Sequence, residues 1–213
     1  MTGFWYGLTW FGDSGLLMPA ALWIAAWLAI GRATRPVALV WVLLFGLGAL
    51  AVLVSKLAFM GWGIGSATLN FTGFSGHTAF AASIWPVALW LAASRGGHRV
   101  RVAAATVGWV FAALIGYSRL AILAHSKSEV VAGLALGMAV SACFLWWQHS
   151  RPHPRLHWLM GVASLATPLL LLKPGAPAPT QGALEIIAVR LAGIERPFTR
   201  EDLLRRRLSP SID

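Results

Sequence analysis

Long apolar runs alternate with short polar stretches along most of this chain. The runs cover residues 16–30, 37–54, 78–93, 102–117, 130–147 and, more weakly, 158–172. Several are shorter than the roughly 20 residues that a spanning helix needs, so we expect the helices to extend into their flanks. No stretch alternates as a strand would, and helices satisfy their own backbone groups inside a bilayer. The pattern predicts an all-α fold, a polytopic transmembrane helical bundle of about six segments.

The same pattern divides the chain into three parts. Residues 1–15 are aromatic and lack a basic residue, so they indicate an interfacial N-terminus instead of an ordinary signal peptide. Residues 16–172 hold the apolar runs and form the predicted transmembrane domain. Residues 173–213 begin with a proline-rich linker and continue as a basic amphipathic tail. In this tail Thr199 and Asp202 resemble a capping box ahead of a short helix.

The composition agrees with a membrane protein. The 213 residues are 58% hydrophobic and 11% charged, and the mean hydropathy is +0.70. The formal charge of +10 does not indicate a nucleic-acid binder, because the basic residues interrupt apolar segments instead of covering one solvated face. The single cysteine, Cys143, excludes an internal disulfide. We therefore expect the lipid bilayer, and no nucleic acid, as a partner; the sequence leaves the oligomeric state open.

The basic residues predict how the bundle lies in the membrane. If every segment crosses, seven arginines share one side, which the positive-inside rule makes cytoplasmic. The polar loops at residues 56–77 and 118–129 must then share the opposite side, because two crossings separate them. We expect a multi-pass protein of a bacterial inner membrane with these loops on its periplasmic face. The sequence leaves open whether segment 158–172 crosses, and with it the side of the tail. The seven are Arg32, Arg35, Arg95, Arg99, Arg101, Arg151 and Arg155.

The second polar loop carries an unusual set of charged groups. Glu129 is the only acidic residue between Asp13 and Glu185, and a carboxylate in an apolar setting is costly without a partner. His125 lies four residues earlier, so the two side chains can meet on one face of a helix. A carboxylate on one imidazole nitrogen makes the other a better nucleophile or base. Arg119 adds a planar fork of donors that suits phosphate.

The first polar loop brings further groups to the same side. Lys56 ends one predicted helix and His77 begins the next. Ser75 and Gly76 fit a turn into a helix N-terminus, where free backbone N–H groups bind anions. The two loops together offer two cations, a helix N-terminus, two histidines and a carboxylate. Such a set suits attack on a phosphoryl group.

In this spacing the chain resembles the type-2 phosphatidic acid phosphatase superfamily, which includes lipid phosphate phosphatases. The resemblance covers roughly residues 16–172. The family's third motif is Ser-Arg, five residues, His, three residues and Asp, and Ser118, Arg119 and His125 match it. The other two motifs lie in the first polar loop. Pro-Ser-Gly-His is matched by Ser75, Gly76 and His77, and the lysine that begins the first motif is matched by Lys56.

The resemblance implies a role for each matched residue. His125 would be the nucleophile that becomes phosphorylated, Glu129 would orient it, and His77 would be the general acid. The phosphate would be bound by Lys56, Ser75, Gly76 and Arg119. No metal and no other cofactor is implied.

The chain departs from the family pattern at three points. The Arg-Pro of the first motif falls at Gly63 and Ile64, so one phosphate-binding arginine is absent. The proline of the second motif is Phe74, and the closing aspartate is Glu129, which keeps the charge. We expect Trp62, Gly63 and Phe74 to form a reshaped wall of the site.

The predicted function is therefore a membrane-embedded lipid phosphate phosphatase with a phosphohistidine intermediate. Its substrate would be a phosphorylated membrane lipid, with undecaprenyl pyrophosphate preferred by family analogy over phosphatidylglycerol phosphate or phosphatidic acid. Two alternatives stay open. One is a lipid-to-lipid phosphotransferase on the same scaffold. The other is a non-catalytic protein that binds or moves an anionic lipid, which the missing arginine favours and the two histidines disfavour.

Three weaker patterns have structural interpretations. Gly133 and Gly137 form a Gly-x-x-x-Gly pair, which indicates helix packing. Ser126 and Ser128 can cap the fifth helix without touching substrate. The three histidines of residues 149–157 have a metal-like spacing, but prolines between them break any helix there, so we predict no metal site.

Overall fold

The structure, a computed structural model, describes residues 2–149 and 180–208. The described chain forms the helices α1 (Thr2–Trp10), α2 (Ser14–Ile30), α3 (Arg35–Trp62), α4 (Gly76–Ala92), α5 (His98–Ala121), α6 (Lys127–His149), α7 (Thr180–Ala192) and α8 (Arg200–Leu208). Several features predicted from the sequence lie outside these ranges. They are segment 158–172, the arginines at 151 and 155, the histidines at 153 and 157, and the proline-rich linker.

The predicted fold class is confirmed. Within the described ranges, four helical stretches are long and apolar enough to cross a membrane: Gly3–Ile30, α3, α5 and α6. The first of them joins α1 and α2, which a short turn separates. The described residues contain no β-strand, only an isolated bridge between Ser66 and Phe71. The protein is thus a polytopic transmembrane helical bundle, and the predicted number of segments remains approximate.

The central helix of the bundle is α4. It has 17 residues, most of them buried, and it packs mainly against α5 and α6. Gly133 of α6 lies so close to α4 that an added Cβ would be 2.7 Å from the carbonyl oxygen of Ser75. An added Cβ on Gly137 would overlap the backbone of Ala79. The prediction that this glycine pair serves helix packing is confirmed, and the close approach brings the start of α6 to the start of α4.

The end of α3 differs from the prediction. We expected a helix ending near residue 54 with Lys56 at its end, but α3 continues to Trp62 because no proline interrupts it. It stops at Gly63, which adopts the left-handed conformation with φ of 66°. The Gly63 N–H donates to the Phe59 carbonyl at 2.8 Å, as in a glycine C-cap. Lys56 therefore projects from the side of α3 instead of from a loop.

Both polar loops and the tail meet at one end of the bundle. The Ser75 N–H donates to the backbone carbonyl of Glu129 at 3.1 Å, which joins the two loops. The Phe198 N–H donates to the Met60 carbonyl at 2.8 Å, which attaches the tail to the end of α3. The two loops lie at the same end of the bundle, as the prediction that they share one side of the membrane requires, and residues 180–208 also lie at that end.

Candidate active site

A cavity of about 1330 Å³ opens at the end of the bundle where the loops meet. Its polar end is lined by five of the predicted site residues: Lys56, Gly76, His77, Arg119 and His125. The cavity continues beside α3 past Leu53 and Leu50 to Gly46, and residues of α7 and residues 197–200 also line it. Lys56 and Gly46 are about 15 Å apart along the helix axis, from the rise per residue of an α-helix. The cavity thus joins a cationic end to an apolar groove.

The histidine–carboxylate pair forms as predicted from its spacing. The Nδ1–H of His125 donates to Oε2 of Glu129 at 2.8 Å, which leaves Nε2 free of that contact. His125 precedes α6, and Glu129 reaches back to it from the first turn. The Ser126 N–H donates to Glu129 Oε2 at 3.1 Å, and the Glu129 N–H donates to Ser126 Oγ at 3.3 Å. This is a capping box, so the interpretation of Ser126 as a helix cap is confirmed.

Glu129 is completely buried and surrounded by donors. Its Oε1 accepts the N–H of Thr72 at 2.8 Å and the hydroxyl of Thr72 at 2.5 Å. Nη2 of Arg200 lies 2.8 Å from each carboxylate oxygen. These contacts offset the cost of burying the carboxylate and fix its orientation toward His125.

Burial is the main influence on the imidazole of His125, and it lowers the pKa below the ordinary value of 6.5. The hydrogen bond to Glu129 opposes this change and raises the pKa, while the charges of Arg119 and Lys56 lower it. The net direction is downward. The ring of His125 is therefore neutral near pH 7, as a nucleophile must be.

Arg119 lines the cavity from the last turn of α5. Its Nη1 donates to Oγ1 of Thr9 at 2.9 Å, which ties the guanidinium to α1. Its Nε is buried and has no hydrogen-bond partner within residues 2–149 and 180–208. A buried donor without a partner costs free energy, and an anion in the cavity would remove that cost.

His77 lies in the first turn of α4, and its Nε2 is 3.5 Å from Oδ2 of Asp13. Asp13 is itself fixed, because its Oδ1 accepts the N–H of Gly15 at 2.7 Å and caps α2. The site therefore contains a second histidine–carboxylate pair in addition to that of His125 and Glu129.

The predicted residues do not all face the cavity. The Ser75 side chain is completely buried, and its hydroxyl is hydrogen-bonded to that of Thr78 at 2.9 Å. Phe74 lines the cavity, whereas Trp62 is 51% exposed and Gly63 forms the helix cap. Neither Trp62 nor Gly63 belongs to the cavity lining found in the described residues. Contact of Ser75 with a bound phosphate would require its hydroxyl to leave Thr78.

Sequence reasoning missed four residues that hold the site together: Thr9, Asp13, Thr72 and Arg200. Asp13 carried a usable signal, since it is an acidic residue in an apolar stretch just as Glu129 is. The other three carried none, because polar residues near a helix end are common. Within the described ranges, no cluster of three or more His, Cys, Asp or Glu side chains is arranged to hold a metal ion.

Comparison with known proteins agrees with this geometry. Residues 58–153 match the model of the PAP2 superfamily, and this region includes His77, His125 and Glu129. An uncharacterized 22.5 kDa protein in the cps region of Klebsiella pneumoniae is 48% identical over 203 residues, which are 93% of this chain and 97% of that protein. No solved structure matches. The chain belongs to the PAP2 superfamily, whose members are phosphatases.

Proposed function

We propose that this protein is a lipid phosphate phosphatase that acts through a phosphohistidine on His125. The observation that carries the proposal is the joined cavity, cationic at one end and apolar along α3. Lys56 and Arg119 would bind the phosphate, and the groove past Leu50 would hold the lipid tail. A free phosphate ester would fill only the cationic end.

In the first step Nε2 of His125 attacks the phosphorus atom. The bond from phosphorus to the leaving oxygen breaks, and that oxygen takes a proton from His77. Glu129 holds the Nδ1–H, so the Nε2 lone pair is available. Lys56 and Arg119 neutralise the charge that accumulates on the phosphoryl oxygens.

In the second step water attacks the phosphohistidine. His77 accepts the proton of the water, the bond between phosphorus and Nε2 breaks, and inorganic phosphate leaves. Both histidines then return to their starting protonation states. Asp13 would orient His77 in both steps, and the backbone N–H groups at the start of α4 would add donors for the phosphate.

The position of the site supports a substrate that stays in the bilayer. We propose an undecaprenyl pyrophosphate-type lipid first, with phosphatidylglycerol phosphate and phosphatidic acid as the other substrates of this class. The distribution of arginines supports a site on the periplasmic face of an inner membrane. In this proposal residues 1–15 are an aromatic interfacial N-terminus, residues 16–172 form the membrane domain, and residues 173–213 are a basic amphipathic tail, of which residues 197–200 line the cavity.

Phosphate release by the purified protein in detergent tests the function. The three lipids are compared for the native protein, for His125→Ala and for His98→Ala, which removes an exposed histidine at the far end of α5. We expect release that is lost in the first variant and kept in the second. Release that persists in His125→Ala, or no release from any lipid, would overturn the proposal. Phosphate that appears on an added lipid acceptor instead of in water would identify a phosphotransferase.

A further inference from the structure

We propose that the carboxy-terminal tail is part of the catalytic machinery and that Arg200 is a positioning residue that holds Glu129 against His125. The inference deepens the proposed function and rests on it. Arg200 lies outside residues 58–153, the region matched by the family model.

The guanidinium of Arg200 joins the two polar loops. Its Nη2 lies 2.8 Å from both oxygens of Glu129. Its Nη1 donates to the carbonyl oxygen of Asn70 at 3.1 Å and to the Asn70 side-chain oxygen at 2.6 Å. Asn70 has a φ of 50°, a left-handed conformation that asparagine tolerates. Two anchoring groups at fixed positions require the fork of an arginine, which a lysine cannot reproduce.

The start of α8 holds Arg200 in place. The Thr199 N–H donates to Oδ2 of Asp202 at 2.9 Å, and the Asp202 N–H donates to the Thr199 hydroxyl at 3.3 Å. The capping box predicted from the sequence is thereby confirmed. Arg196 adds a forked ion pair to Asp202, with distances of 2.9 and 3.0 Å. Arg200 is the first residue of the helix that these contacts fix.

The role of Arg200 follows from what it touches. Its Nη atoms are directed at Glu129 and Asn70, so it acts on the nucleophile through the carboxylate. Gly63, at the position where the family has an arginine, is the C-cap of α3. Arg200 lines the same cavity from the start of α8, but its guanidinium bonds Glu129 and Asn70 and does not replace that phosphate ligand.

Removing Arg200 changes the electrostatics around His125 in a defined direction. Among the described residues, the charged or titratable groups that face the His125–Glu129 pair are Lys56 from α3, His77 from α4, Arg119 from α5 and Arg200 from α8. Without Arg200, the positive charge next to Glu129 is absent, so the carboxylate stabilises a protonated His125 more strongly. The protonated imidazole is then favoured, so His125 should lose its proton at a higher pH.

The experiment compares Arg200→Ala, Arg200→Lys and Arg205→Ala with the native protein. Arg205 is a matched control, because it is on the same helix and is 79% exposed. The first readout is the pH profile of kcat/KM. The second is the rate at which diethyl pyrocarbonate modifies His125 at each pH, measured by mass spectrometry on the peptide. This reagent reacts with the neutral ring, so the second readout does not depend on phosphatase activity.

In Arg200→Ala we expect kcat to fall about tenfold or more while KM changes little, because the contact is to Glu129 and not to phosphate. The midpoint of His125 modification should move upward by roughly half a pH unit or more. Arg200→Lys should keep the midpoint, since it keeps the charge, and recover only part of kcat. Arg205→Ala should match the native protein in both readouts.

Three results would overturn the inference. An unchanged modification profile in Arg200→Ala would do so even if the protein released no phosphate from any lipid. A rise in KM, or weaker inhibition by orthovanadate, with kcat and midpoint unmoved would make Arg200 a phosphate ligand instead. A loss of kcat with an unmoved midpoint, shared by Arg200→Lys, would reduce Arg200 to a structural anchor of the tail. If only the proposed function is wrong, the native protein will release no phosphate from these lipids, but the midpoint of His125 modification will still be higher in Arg200→Ala than in the native protein.

Discussion

Asp13, which caps α2, lies 3.5 Å from Nε2 of His77 at the start of α4. The two residues are far apart in the chain, and Asp13 lies outside the region matched by the family model. The distance is long for a hydrogen bond, and the contact is an ion pair only when the ring of His77 is protonated. The N-terminal segment thus contributes a side chain to the site.

The first prediction concerns this pair. Asp13→Asn keeps a capping side chain for α2 but removes the charge, so the fold should persist. We expect kcat for a lipid with an alcohol leaving group to fall roughly 10- to 100-fold, because that oxygen needs a proton from His77. An activated aryl phosphate, whose leaving group needs little protonation, should lose much less. Equal losses on both substrates would show that Asp13 does not act through His77.

The second prediction is the pH dependence of the native protein. Because burial keeps the pKa of His125 below 6.5, the neutral ring persists as the pH falls below that value. The acid limb of kcat/KM should therefore lie below pH 6.5. The folded protein also binds fewer protons at this residue than the unfolded chain, so its stability contribution should decline as the pH falls below 6.5. An acid limb of kcat/KM above pH 6.5 would contradict this prediction.

The third prediction tests the orientation of the nucleophile. Glu129→Gln keeps the size of the side chain but gives it an amide that cannot match a carboxylate as an acceptor for all its donors. We expect kcat to fall by roughly 100-fold or more with a smaller change in KM, as when the orienting acid of a catalytic histidine is lost. Glu129→Asp, the family residue, should retain part of the activity. Steady-state kinetics on one lipid substrate decides between these outcomes.

The fourth prediction concerns the position where the family has an arginine. Gly63→Arg should not restore a phosphate ligand, because Gly63 has a φ of 66° and does not line the cavity found in the described residues. A side chain in that conformation should destabilise the protein by about 1–2 kcal/mol. Thermal unfolding in detergent measures this, with Gly182→Ala as a control at a glycine that has open space around it. An increase in kcat/KM at unchanged stability would refute the interpretation.

The fifth prediction tests the apolar groove. Gly46→Leu places a side chain in the groove beside α3, where nothing lies within 4 Å of the added Cβ. We expect KM for a long-chain lipid phosphate to rise about tenfold, and KM for a short-chain analogue to stay the same. Leu47→Trp, on the exposed face of the same helix, is the matched control. Equal effects on both chain lengths would mean that the tail does not occupy this groove.

The sequence determined the helical architecture because long apolar runs have few ways to satisfy their backbone in a bilayer. Counting those runs was enough to put the two polar loops on one side. The pair of His125 and Glu129 was also predictable, since four residues separate them and local spacing decides whether they meet. The end of α3 was not, because the apolar pattern weakens before the backbone leaves the helix at Gly63.

Which distant groups complete the site depends on how the helices pack. Arg200 reaches Glu129 across 71 positions of the chain, and Asp13 reaches His77 from another helix. Periodicity and motif spacing report neighbours within a helix or loop, whereas these contacts depend on how α2, α4 and α8 pack. A buried charge requires a partner, but that requirement does not specify where in the sequence the partner lies. Local spacing along the chain therefore sets the helices and the pair of His125 and Glu129, and the packing of the bundle sets what surrounds them.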